Sequence, residues 1–179
     1  MKKLVALFLA LVLTLSMVSA LAEGEYIALI SKGFQHQFWQ TVAAGAFDAA
    51  KKYNVEVTFD GPPSESDINI QIDMLNAALA KNPVALGLAA LDTESVTEQL
   101  LAAKEKGIPV IGFDSGVPNA PAGAVLANAS TDNYAAGTVV AENLYTKIKE
   151  RIAAATAPVR VGEINQDATS ESITNRGLG

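Results

Sequence analysis

Short apolar runs alternating with helical stripes constrain this 179-residue chain more than any other feature. The runs are Tyr26-Ile-Ala-Leu-Ile30, Val55-Glu-Val-Thr-Phe59, Val84-Ala-Leu-Gly-Leu88, Ile108-Pro-Val-Ile111 and Ala124-Val-Leu-Ala127. Such runs are too brief for helices and suit strands buried on both faces. The second alternates polar and apolar residues, as a less covered edge strand does. Between them the apolar residues switch to helical spacing. Phe38, Val42, Gly45/Ala46, Ala49 and Tyr53 mark one face, Ile68, Ile72, Leu75 and Leu79 the next, and Val96, Leu100 and Ala103 a third. Ser64 with Asp67 and then Asp92 offer helix starts, while Asn82-Pro83 and Gly107 offer stops. Thr131 is expected to cap a further helix with Val140, Leu144 and Ile148 as its stripe, and Val159-Arg-Val-Gly162 reads as a sixth strand.

Helical crossovers between short buried strands require parallel neighbours and right-handed connections. The fold class is therefore α/β, a doubly wound parallel sheet.

The first 22 residues follow another logic. Met1-Lys2-Lys3 is basic, Leu4 to Val18 is apolar, and Ala20-Leu21-Ala22 is a small-x-small cleavage site, the pattern of a secretory signal peptide. The apolar run falls short of the roughly 20 residues that span a bilayer. The expectation is an exported, periplasmic or extracytoplasmic protein with its mature start at Glu23. The chain has no cysteine, so it is neither disulfide-stapled nor lipid-anchored at the cleavage site. A net charge of −6 without any basic run argues against a nucleic-acid partner.

In open parallel sheets ligands sit outside the carboxyl ends of the strands. Gly107-Ile-Pro-Val-Ile-Gly-Phe-Asp-Ser-Gly116 puts Asp114 and Ser115 at such an end. Lys32 to Trp39, Ala89 to Asp92 and Asp132 are at comparable positions. Carboxylates bonding hydroxyls, with aromatic faces against C–H surfaces, suit a sugar; Phe38, Trp39 and Asp114 supply both. His36, the single histidine, is either a ligand contact or a loop residue, and alone makes a poor metal site. Enzyme signatures are missing: no GxGxxG, GxxxxGK[ST] or GxSxG is present. The chain is expected to be no enzyme, with neither cofactor nor metal.

The run IPVIGFDS, after a helix ending in Gly, resembles the fourth strand of the sugar-type periplasmic binding proteins, the ribose-, galactose- and allose-binding receptors of ABC importers. Ser130-Thr-Asp-Asn-Tyr-Ala-Ala-Gly137 resembles that family's hinge, and Arg176-Gly-Leu-Gly179 its RxxGF signature up to the residue before Phe. The resemblance implies a type I fold with a first α/β lobe at 23–130, and a hinge and incomplete second lobe at 131–179. It also implies sugar contacts from the paired aromatics, from Asp114 and, out of the second lobe, from Arg176. The candidate set is His36, Phe38, Trp39, Asp114, Ser115, Asp132 and Arg176. Ala89 and Ser115 depart from relatives that carry polar residue and Arg there, which leaves the exact ligand open. The implied partners are a monosaccharide or similar polyol and a membrane ABC permease, with the complete protein a monomer. A sensory protein signalling through a membrane partner, or a receptor for another small polar solute, is the alternative. A sugar-responsive repressor shares the fold, but the leader pattern replaces a helix-turn-helix.

Overall fold

The computed structural model describes residues 25–179, so the leader expectation lies outside the described residues. Five strands form one parallel sheet: β1 (Tyr26–Ile30), β2 (Glu56–Asp60), β3 (Ala85–Leu88), β4 (Val110–Phe113) and β5 (Ala127–Ala129), in the order β2-β1-β3-β4-β5. The helices are α1 (Gln37–Tyr53), α2 (Ile68–Ala80), α3 (Thr97–Glu105), α4 (Asn133–Ala153) and α5 (Glu171–Leu178). This is the expected doubly wound α/β lobe.

The core lies on one side of the sheet. Ala28, Ile30, Leu86, Leu88 and Val110 pack against Leu75 and Leu79 of α2 and Val96, Leu100 and Ala103 at α3. Each buried large aliphatic chain contributes about 1.5–3 kcal/mol, so this layer carries most of the fold. The opposite face is thinner. There Ile27 and Leu29 are only half-buried, Ile111 is 40% exposed, and Trp39 alone in α1 is buried. The α1 stripe holds at Val42 and Ala46, which are partly covered, and shifts by one residue elsewhere: Trp39 replaces Phe38, Ala50 replaces Ala49, and Tyr53 faces solvent.

Several other expectations are corrected. The fifth strand is Ala127–Ala129, not Ala124–Ala127, because a turn closed by the Ala124 amide on the Pro121 carbonyl occupies its start. The fourth begins at Val110, since the Ile108 amide is taken by Ala103 O at the end of α3. Asp92 closes the turn before α3 rather than capping it, and Asp132, not Thr131, caps α4 through the Ala135 amide at 2.9 Å. Val159–Gly162 forms no strand; Val159 and Val161 are exposed and no neighbouring strand reaches them. The Val140 and Leu144 stripe of α4 is likewise exposed. What α4 does pack is its first turns, against α5, where a side chain at Gly137 would overlap the Arg176 carbonyl.

Candidate functional site

Gln71 fixes the floor of the site. Fully buried on α2, its amide donates to the carbonyls of Ser31 and Ala89, both at 2.9 Å, and accepts from the Leu91 amide at 3.0 Å. One side chain thus ties together the chain leaving β1 and the chain leaving β3. Buried polar groups left unpaired are costly, so those exits are held in one arrangement.

Above this floor is a cleft of about 260 Å³, walled by Lys32, His36, Phe38, Trp39, Glu65, Asp114, Thr131, Gln166, Ser172, Ile173 and Arg176. Five of the seven sequence candidates meet here: His36, Phe38, Trp39, Asp114 and Arg176. Trp39 is 1% exposed and meets Phe38 edge-to-face, their ring centres 4.8 Å apart. Phe38, at 47% exposed, offers the open aromatic surface. His36 caps α1 by accepting the Phe38 amide on Nδ1 at 3.1 Å. An imidazole that accepts on Nδ1 carries its proton on Nε2, a donor for a ligand hydroxyl.

Asp114 occupies the left-handed backbone region at φ 60°. Its Oδ2 is 3.3 Å from the Lys32 ammonium, yet that buried oxygen has no aligned hydrogen-bond donor. The pair is close enough to attract but not directed, which leaves an acceptor for an incoming hydroxyl. Lys32, 4% exposed, also donates to Ser172 Oγ at 3.2 Å and lies 3.8 Å from Glu65 Oε2. Arg176 is steadied from α4 by the Asn133 side-chain oxygen.

Ser115 and Asp132 are not among the cleft-wall residues. Ser115 is buried and bonds Ser172 through its hydroxyl, joining the β4 exit to α5; Asp132 is exposed and used as the α4 cap. Glu65, Gln166, Ser172 and Ile173 had no signal in strand or helix periodicity: the first two are on loops and the last two on the short helix α5, all brought in from distant segments. Lys32 was visible only as the edge of a polar stretch. Among the described residues no three His, Cys, Asp or Glu side chains gather in a way that could hold a metal ion. No described helix is long and apolar enough to cross a membrane.

A parallel α/β lobe with its polar cleft at the strand ends is the architecture of a solute-binding lobe. The profile of the periplasmic binding protein domain matches residues 27–177, and the chain belongs to that family of solute-binding proteins. It is 29% identical over 134 residues to the D-allose-binding periplasmic protein of Escherichia coli (strain K12), covering 73% of this chain and 43% of that one. Among solved structures it is similar to a Brachyspira murdochii protein described as an ABC transporter, LacI family transcriptional regulator. Identity there is 52%, TM-score 0.66, and coverage 73% of this chain and 41% of that chain. A carbohydrate transporter solute-binding protein of Agrobacterium radiobacter, in complex with D-arabinose, is 28% identical at TM-score 0.70, with coverage of 88% and 51%. The chain thus spans about half or less of the length of these relatives. The sugar-type resemblance carried by IPVIGFDS stands with these findings, and the fold is a type I binding-protein lobe.

Proposed function

We propose that this chain is part of an exported receptor that captures a monosaccharide or similar polyol between two lobes for an ABC permease. Residues 23–130 are the first lobe, and residues 131–179 the hinge and the start of the second. The carrying observation is the pairing, across one cleft, of the Phe38 and Trp39 rings with a buried Asp114 oxygen that has an ammonium nearby but no aligned hydrogen bond. Ligand bonded from both sides favours the closed state by its differential affinity for it. Arg176, a rigid fork of donors, serves from the second side. In this reading capture leaves the solute chemically unchanged.

The test is thermal unfolding of the natural gene product with D-allose, D-arabinose and other monosaccharides. A sugar at about 100 times its dissociation constant stabilises by roughly 2.7 kcal/mol, and binding is expected at micromolar affinity or tighter. A panel without effect, alongside a shift with an amino acid or nucleoside, overturns the sugar assignment. The Brachyspira description joins transport with regulation. The receptor reading is favoured here by the Met1–Ala22 pattern, and sensing differs from transport only in the membrane partner.

A further inference from the structure

Glu65 links the Trp39 ring of the cleft to the Lys32 ammonium beside Asp114. Its Oε1 accepts the Trp39 indole N–H at 2.7 Å, and its Oε2 faces the Lys32 ammonium at 3.8 Å. Lys32 in turn faces Asp114 at 3.3 Å. We propose that Glu65 is the positioning residue of this cleft, a single carboxylate that fixes the direction of the Trp39 N–H and helps place Lys32 beside Asp114. The proposal rests on the reading of the cleft as a sugar site.

Glu65 can do this because the loop carrying it is clamped. A side chain on Gly61 would come within 2.8 Å of the Gly33 carbonyl group, so the chains leaving β1 and β2 are in direct backbone contact. Ser31 holds both, its hydroxyl within hydrogen-bond reach of the carbonyls of Gly33 and Asp60. A methyl on Gly33 would already touch Glu65 Cγ at 3.4 Å and Trp39 Cδ1 at 3.6 Å. Glu65 is 14% exposed at its side chain, and its bond to a buried indole is charge-assisted, which makes it shorter and stronger than a neutral one.

The role of Glu65 is geometric. A cavity of about 320 Å³ adjoins the cleft, and His36, Trp39, Glu65 and Gln166 line both. Trp39 is buried against Phe38 and Phe113, both edge-to-face, so packing holds the ring in place and the Glu65 bond fixes the direction of its N–H. Lys32 has a long flexible stem, and its ammonium is placed by three groups: Ser172 Oγ, to which it donates at 3.2 Å, Asp114 at 3.3 Å and Glu65 at 3.8 Å.

The test uses Trp39 as its own reporter, because it is the only tryptophan of the chain. The nitrogen-15 spectrum of the chain then contains one indole N–H signal. Glu65→Ala is expected to move that signal and speed its solvent exchange at least about tenfold, as loss of a hydrogen bond of ordinary strength demands. Glu65→Gln keeps an acceptor and removes the charge; it should hold exchange within about threefold and so rescue the indole while freeing Lys32. In the natural gene product, D-allose or D-arabinose, whichever binds, should lose at least about tenfold in affinity with Glu65→Ala and less with Glu65→Gln. An indole signal and exchange rate unchanged in Glu65→Ala overturn the proposal. So does a displaced indole with undiminished sugar affinity. If the natural protein binds no sugar, the sugar reading falls, and the indole measurement alone decides whether Glu65 positions Trp39.

Discussion

Asp114 carries two demands at once, a left-handed backbone and, in the function proposed above, a carboxylate that bonds the ligand. Its φ of 60° costs an ordinary residue about 1–2 kcal/mol, and Asp and Asn tolerate it best. The conformation is held by the Asp114 amide on Ala129 O at 3.0 Å and the Ser115 amide on Phe113 O at 2.7 Å. Asp114→Asn should therefore fold as the natural chain does, and Asp114→Ala should lose about 1 kcal/mol of stability. Both should lose sugar affinity, Ala the more, since each charged hydrogen bond to a hydroxyl is worth roughly 1.5–3 kcal/mol. Calorimetry beside circular dichroism separates the two effects, and full affinity in Asp114→Ala would move the site elsewhere. Asp92 gives a second prediction. Burial raises its pKa, but bonds from the Ser95 hydroxyl and the Ser95 and Glu94 amides outweigh this and leave it below its ordinary 3.8. A lowered folded value contributes stability above the unfolded pKa, lost as pH falls through the folded one. Acid unfolding of Asp92→Asn should thus show a shallower loss of stability below the ordinary carboxylate range than the natural chain. Asp114 was readable because a strand end announces it. Glu65 and Gln71 were not: one is a loop carboxylate, the other a polar residue inside the Ile68, Ile72, Leu75 stripe, and that interruption was its only signal.

Elements were legible in kind and less so in extent. Four of the five strands were visible as apolar runs, while the fifth run meets its strand only at Ala127; the ladder starts where amides find carbonyls, not where apolar residues begin. Ile108 is a core residue, 8% exposed, without being in β4. Val159–Gly162 shows the converse: an apolar pattern with no strand beside it stays coil, because isolated backbone groups bond to water instead. The same lack of a partner surface sets the behaviour of α4. With Val139, Val140 and Tyr145 more than half exposed, its amides beyond the first turns should exchange at least about tenfold faster than those of α2 and α3, measured by hydrogen exchange. The α4–α5 crossing is the exception. Gly137→Val must push the Arg176 carbonyl away, at about 1–3 kcal/mol for overpacking. Limited proteolysis should then cut between α4 and α5 sooner than in the natural chain, while the β1–β4 region resists as before.

At the scale of the whole molecule, the sheet is finished on its α2–α3 side and thinly covered on the other, where Ile111 is exposed. That asymmetry was not readable from the runs, which are apolar on both faces whatever lies opposite. The leader pattern makes its prediction here as well: protein recovered outside the cytoplasm should begin at Glu23, which N-terminal sequencing or mass spectrometry reads directly, and retention of Met1–Ala22 would count against export. The strand order β2-β1-β3-β4-β5 has a consequence in time rather than space. After β1 and β2 pair, β3 is laid on the free edge of β1, β4 on β3 and β5 on β4. No strand has to be threaded between two already joined. Since chains are made from the N-terminus onward, the sheet can grow at the pace of synthesis or translocation, each new strand finding its template waiting at the margin.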